Sequence, residues 1–171
     1  MDLTIESLWD GRELPASDHV SIQLRWESGD LILRVDAPYF DDPVPEHPVG
    51  STWELWEHEV VEVFLLGDSE RYTEIELGPH GHFLLLRLDG YRNIVDRTLP
   101  MVFESQIDGN RWRGVARVAG KYLPHPIRRL NAYSIHGEGQ QRIHAAWTPV
   151  PGPECDFHRL KCFPEVVLKP E

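Results

Sequence analysis

Sulfur is scarce in this chain, and that removes several chemistries at once. Its 171 residues hold two methionines, Met1 and Met101, and two cysteines, Cys155 and Cys162. The six residues between the cysteines fit no common zinc pair, and two cysteines make no disulfide framework. Both are expected as reduced thiols. Basic residues are also few: 17 Lys and Arg against 28 Asp and Glu leave a net charge of −11. Long-range repulsion then opposes nucleic acid and anionic membranes as partners, although a local basic patch stays open. No twenty-residue apolar run occurs, and the start Met1-Asp2-Leu3-Thr4-Ile5-Glu6 lacks the basic and apolar regions of a signal peptide. A cytoplasmic location is expected. There is no phosphate-binding glycine loop, no nucleophile elbow and no convincing amphipathic stretch of helical length.

What is present is alternation. Val20 to Trp26 and Leu31 to Ala37 alternate around the turn Ser28-Gly29-Asp30, which predicts a hairpin. Prolines at 38, 43, 45 and 48 make the segment to Thr52 a loop, long enough for a functional rim or a covering flap. Trp53, Trp56, Val60 and Val63 fit a helical stripe, but the β-branched Val60, Val61 and Val63 favour a strand from about His58, with at most one helical turn before it. Strands follow at Tyr72 to Leu77, His82 to Leu88, Met101 to Ile107, Arg111 to Val118, Asn131 to His136 and Ile143 to Trp147, with a brief helical turn at Lys121 to Pro124. From about residue 148 to 171 a proline-rich strap is expected, ending in an edge strand Val166-Val167-Leu168. About nine short strands and no linker imply one domain over 1–171, an all-β antiparallel β-sandwich of jelly-roll type.

The hairpin after Trp53 is the unusual part. If Gly67 to Arg71 closes it so that Leu66 faces Tyr72, then Val61, Val63 and Leu65 form a core row while Glu62 faces Glu76 and Phe64 faces Glu74. Like charges directly opposite destabilise a sheet, so a cation, a ligand, a shared proton or full exposure must compensate. Arg87 supplies the counter-charge if Leu77 faces His82, which sets Arg87 beside Tyr72 on the acidic face; Arg34 is a second candidate. His58-Glu59-Val60-Val61-Glu62 fails the zinc-protease motif, lacking its second histidine and its helix. Nine histidines are many for this length, and His80, His82, His136, His144 and His158 border strand ends. No cofactor is expected; the alternative is a divalent metal held by two histidines and a glutamate. A structural role for His158 with Asp156, locking the strap onto the sandwich, competes with a ligand role. Trp9, Trp26, Trp112 and Trp147 are read as core or sheet-covering aromatics.

Taken together, a tryptophan-acid turn running into Val-Val-Glu-Val-Phe and then Tyr-x-Glu-x-Glu-x-x-Pro-x-Gly resembles the β-sandwich of family 9 carbohydrate-binding modules and DOMON-like domains. A narrower similarity is to a family of uncharacterised proteins of that fold. It adds Leu55-Trp56-Glu57, Ile135-His136-Gly137 and Pro153-x-x-Asp156-Phe157-His158-Arg159-Leu160, and it spans Trp9 to Phe163. The resemblance implies a ligand on a sheet face or at one end of the sandwich, with a sugar stacked on Trp53 or Trp56. Haem binding is disfavoured, because the two methionines offer no axial pair.

These readings converge on a non-catalytic module binding a small polar ligand, most readily a carbohydrate, through Trp53, Trp56, Glu62, Glu74, Glu76, Arg87, His136 and His158. The alternative is a small, metal-dependent enzyme acting on a sugar-like metabolite, with two of the three glutamates as acid and base and the metal on His136 or His158. A third reading is a scaffold whose acidic face meets a partner protein.

Overall fold

Period-two alternation becomes twelve strands in the computed structural model, which describes residues 1–168. They are β1 (Asp2–Ile5), β2 (Ser7–Leu8), β3 (Val20–Glu27), β4 (Asp30–Pro38), β5 (Val60–Leu66), β6 (Arg71–Leu77), β7 (Phe83–Asp89), β8 (Ile94–Asp96), β9 (Val102–Asp108), β10 (Arg111–Ala119), β11 (Arg129–His136) and β12 (Ile143–Ala146). The described residues form no α-helix, only short 3-10 turns, one of them Leu55–Glu57 just before β5. Two antiparallel sheets result, in the orders β1-β3-β4-β10-β9 and β2-β12-β11-β5-β6-β7-β8. This is the expected antiparallel β-sandwich.

The two sheets bury one row each against the other. Ile22, Leu24, Leu31, Leu33, Val35, Trp112 and Val118 from the smaller sheet meet Val61, Val63, Leu65, Ile75, Leu77 and Leu85 from the larger. β9 alternates half-buried and exposed residues, so the smaller sheet keeps a wet outer face. β5 differs: all seven of its residues are buried. A strand sunk on both faces needs cover on both sides, and the second cover is a separate cluster of Phe64, Tyr72, Leu86, Leu88 and Tyr133 under Val150, Phe157, Leu160 and Phe163.

The C-terminal strap therefore crosses the outer face of the larger sheet as a lid. Phe157 stacks on Tyr133 with ring centroids 3.9 Å apart, and the Tyr133 hydroxyl donates to the Phe157 carbonyl at 2.9 Å. Arg159 ties the strap to itself by donating to the carbonyls of Val150 and Glu154. Its end departs from the sequence reading. Glu165 makes an isolated bridge to Arg129 and the Val166 amide bonds the Arg128 carbonyl, but Val166 to Leu168 form no strand.

Candidate ligand-binding pocket

The β5–β6 hairpin has the register that its loop dictates: Leu66 lies opposite Tyr72, Phe64 opposite Glu74, and Glu62 opposite Glu76. Val61, Val63 and Leu65 join the core between the sheets, so the three glutamates project from the outer face. There they are buried, at 2% exposure for Glu62, 4% for Glu74 and 0% for Glu76. Exposure to water is thus excluded as the relief of their repulsion. Carboxylate oxygens of all three lie within 4.8 Å of one another.

Burial drives their electrostatics. Desolvation pushes Glu62 well above the ordinary carboxylate range and the neighbouring Glu74 adds to this, against the pull of Arg142 and Arg92. Desolvation raises Glu76 likewise, with Glu62 and Glu74 contributing. Glu74 rises to about 7, held back by its hydrogen bond with Glu76 and by Arg92. Drawn as carboxylates, Glu74 Oε2 and both Glu76 oxygens meet no donor. Their mutual contact lowers Glu74 and raises Glu76, the directions produced by a protonated Glu76 donating to Glu74.

Above this acidic floor lies a pocket of about 360 Å³. Glu62 and Glu74 line it together with Trp53, Trp56 and, from the strap, Phe157 and His158. Leu86, Leu88, Ile94 and Ile135 complete apolar walls. The tryptophan rings meet edge to face, 5.0 Å between centroids at 83°. Trp56 is set by Arg142, which donates to the backbone carbonyls of Trp56 and Glu57. Trp53 lies under the Arg97 guanidinium at 4.7 Å. The Glu54 backbone between the two rings is left-handed, at φ 63°, and this turns the chain into the Leu55–Glu57 turn.

The cation at the pocket is Arg92, a residue that strand alternation does not single out. It sits in the β7–β8 turn and donates to Asp156 at 2.9 Å, while the Tyr91 hydroxyl donates to the other Asp156 oxygen at 3.1 Å. His158 Nδ1 and the Tyr72 hydroxyl are hydrogen-bonded at 2.6 Å, and burial pulls the ring down to about 4. It is a neutral, hydrogen-bonded wall of the pocket. Burial also pushes the Cys155 thiol, another lining group, up to about 12. His144 lines the pocket too.

Two residues expected here lie elsewhere. Leu77 faces Phe83 rather than His82, because the β6–β7 turn closes through a Gly78 amide to His82 carbonyl bond. A slip of one residue reverses every side chain. Arg87 consequently stands opposite Thr73, off the acidic face, and pairs with Asp96 at 3.2 Å. His136 shares the parity of Ala132 and Ser134, opposite to the row of Tyr133 and Ile135, and stacks on Phe40 with centroids 3.5 Å apart. Arg34 is exposed on the smaller sheet. The proline-rich loop contributes nothing to the pocket lining; it is pinned at the end of the sandwich, where the Phe40 amide donates to Glu59. The carboxylates gathered here, Glu62, Glu74 and Glu76, have no histidine among them, unlike the alternative of two histidines and a glutamate. Leu86 and Leu88 were readable once the register was known, as the partners of Glu74 and Tyr72.

No family model matches the chain. It is similar along 99% of its length to the UPF0462 protein C4orf33 homolog of Danio rerio, at 38% identity over 90% of that protein. The human protein, UPF0462 protein C4orf33, is 38% identical over 95% of this chain and 86% of its own length. Among solved structures, a candidate carbohydrate-binding protein from Bacteroides uniformis superposes with a TM-score of 0.78 at 14% identity, covering 99% of this chain and 86% of that one. A family 9 carbohydrate-binding module from Caldicellulosiruptor kristjanssonii in complex with glucose gives 0.53 at 15% identity, over 89% and 77%. At these identities the structural likeness establishes the fold.

Proposed function

The chain belongs to the UPF0462 family, and from its pocket we propose that it is a non-catalytic module binding a small polar ligand of carbohydrate type. The observation that carries this reading is the pair Trp53 and Trp56 standing over the buried carboxyls of Glu62 and Glu74 in one 360 Å³ pocket. A sugar has two kinds of surface: a C–H face that packs on an aromatic ring and hydroxyls that bond carboxyl groups. This pocket offers both, at a size suited to one small molecule. The fold supports the reading too, since a structural neighbour is a carbohydrate-binding module with glucose bound. Titration calorimetry against a panel of mono- and oligosaccharides tests it. Binding that disappears in Trp56→Ala with the fold kept is the expected result, and no binding by any sugar at millimolar concentration overturns it.

One observation favours a second reading, a small metal-dependent enzyme on a sugar-like metabolite. Three carboxylates within 4.8 Å are an all-oxygen set suited to a hard divalent cation, and burial raises Glu74 to about 7, in the range of a general acid or base at neutral pH. Metal analysis of protein purified without chelators separates the two readings. A stoichiometric metal lost in Glu76→Gln favours the enzyme.

A further inference from the structure

We infer that the ligand of this pocket is an amino sugar, bound through its ammonium group to Glu74 and Glu62. The inference rests on the carbohydrate reading and narrows it. Glu74 lines the pocket, is 4% exposed, and presents Oε2 without a donor. One proton from Glu76 leaves this buried carboxylate with further acceptor sites that a ligand can satisfy.

The surrounding protein does not satisfy it. The two guanidiniums that act on the acids are committed elsewhere: Arg92 to Asp156 and the Tyr91 hydroxyl, and Arg142 to the carbonyls of Trp56 and Glu57. No lysine lines the pocket. Glu74 is raised only to about 7, while Glu62 and Glu76 are held well above the carboxylate range, so near neutral pH Glu74 is the acid of the three that pairs with an added positive charge. His158 does not fill that role, since burial and the nearby Arg92 pull its ring down to about 4 and keep it neutral near pH 7.

A neutral hexose donates one hydrogen bond per hydroxyl and carries no charge to the acids. An ammonium brings three donors and a charge together, and the same cation is attracted by the faces of Trp53 and Trp56. Those rings still pack against the sugar C–H face. An N-acetylated sugar loses the charge and adds bulk, so the pocket discriminates against it.

The test is calorimetric titration near neutral pH with glucosamine, glucose, N-acetylglucosamine and ethanolamine, on the full chain and on Glu74→Gln. Glucosamine is expected to bind at least about tenfold tighter than glucose and N-acetylglucosamine. The ratio between glucosamine and glucose should fall toward one in Glu74→Gln, with Glu62→Gln as the second variant should the first not fold. Equal affinity for glucosamine and glucose overturns the inference and leaves the carbohydrate reading standing. Ethanolamine binding as tightly as glucosamine overturns the sugar component, and no binding by any of the three sugars overturns both readings.

Discussion

Arg92 donates to Asp156 at 2.9 Å, and this contact joins the β7–β8 turn, whose Arg92 lines the pocket, to the C-terminal strap. The same carboxylate accepts from the His158 backbone amide at 3.0 Å, so one aspartate orders both a wall of the pocket and its lid. Arg92 is half exposed, and an ion pair of that kind contributes at most about 1 kcal/mol. Its value here is positional.

Asp156→Asn is therefore expected to change melting temperature by no more than a few degrees, while hydrogen exchange of the strap amides around His158 becomes faster. Sugar affinity should fall with it. Unchanged exchange in the variant would show that the aromatic contacts of Phe157 hold the strap unaided.

Trp56→Ala removes one of the two tryptophan rings that line the pocket. Sugar affinity is expected to drop about tenfold or more, as for a central aromatic contact, with circular dichroism of the sandwich retained. Arg87→Ala serves as the control, because Arg87 pairs with Asp96 off the acidic face; its affinity should equal that of the wild type.

Glu74→Gln keeps the shape of the side chain and removes its titration. Burial raises Glu74 to about 7 from an ordinary 4.5, so the folded state is favoured while the group is protonated. That stability is fully present below pH 4.5 and is lost as pH rises through about 7. Thermal melts across this window should show the variant gaining on the wild type as pH rises, by at least about 2 °C on the alkaline side. Parallel curves would place the Glu74 proton elsewhere.

His158 runs in the opposite sense. Its ring is pulled from 6.5 to about 4 by burial, with Arg92 adding to the shift. Its contribution is present above pH 6.5 and is lost as pH falls through about 4. The ring resonances should stay those of neutral imidazole down to about pH 4, and Tyr72→Phe, which removes the 2.6 Å bond to Nδ1, should lower stability by roughly 1 kcal/mol.

Much of this architecture is legible in the residues themselves. Alternation located the hairpins, and β-branching at Val60, Val61 and Val63 pointed to a strand from about His58 after at most one helical turn, where the structure has the turn Leu55–Glu57 and a strand from Val60. Three elements escaped because they are short or at edges: β1 and β8 hold four and three residues, and β2 holds two. Their pairing comes from the sheets they join, and their own sequences carry too little periodicity to announce it. The acidic hairpin was read in the right register because its loop sets that register locally.

The sequence by itself determined that three glutamates share one face of β5 and β6, since side-chain parity follows from backbone geometry alone. Only the tertiary structure decided that this face is dry. The strap brings Phe157 and His158 over it from about a hundred residues away, and the β6–β7 turn, one residue longer than the local signals imply, carries Arg87 off it and leaves Arg92 of the next turn at the pocket. Turn length and long-range cover are settled by packing across the whole sandwich, and that is why the electrostatics of this site could not be read from the chain in isolation.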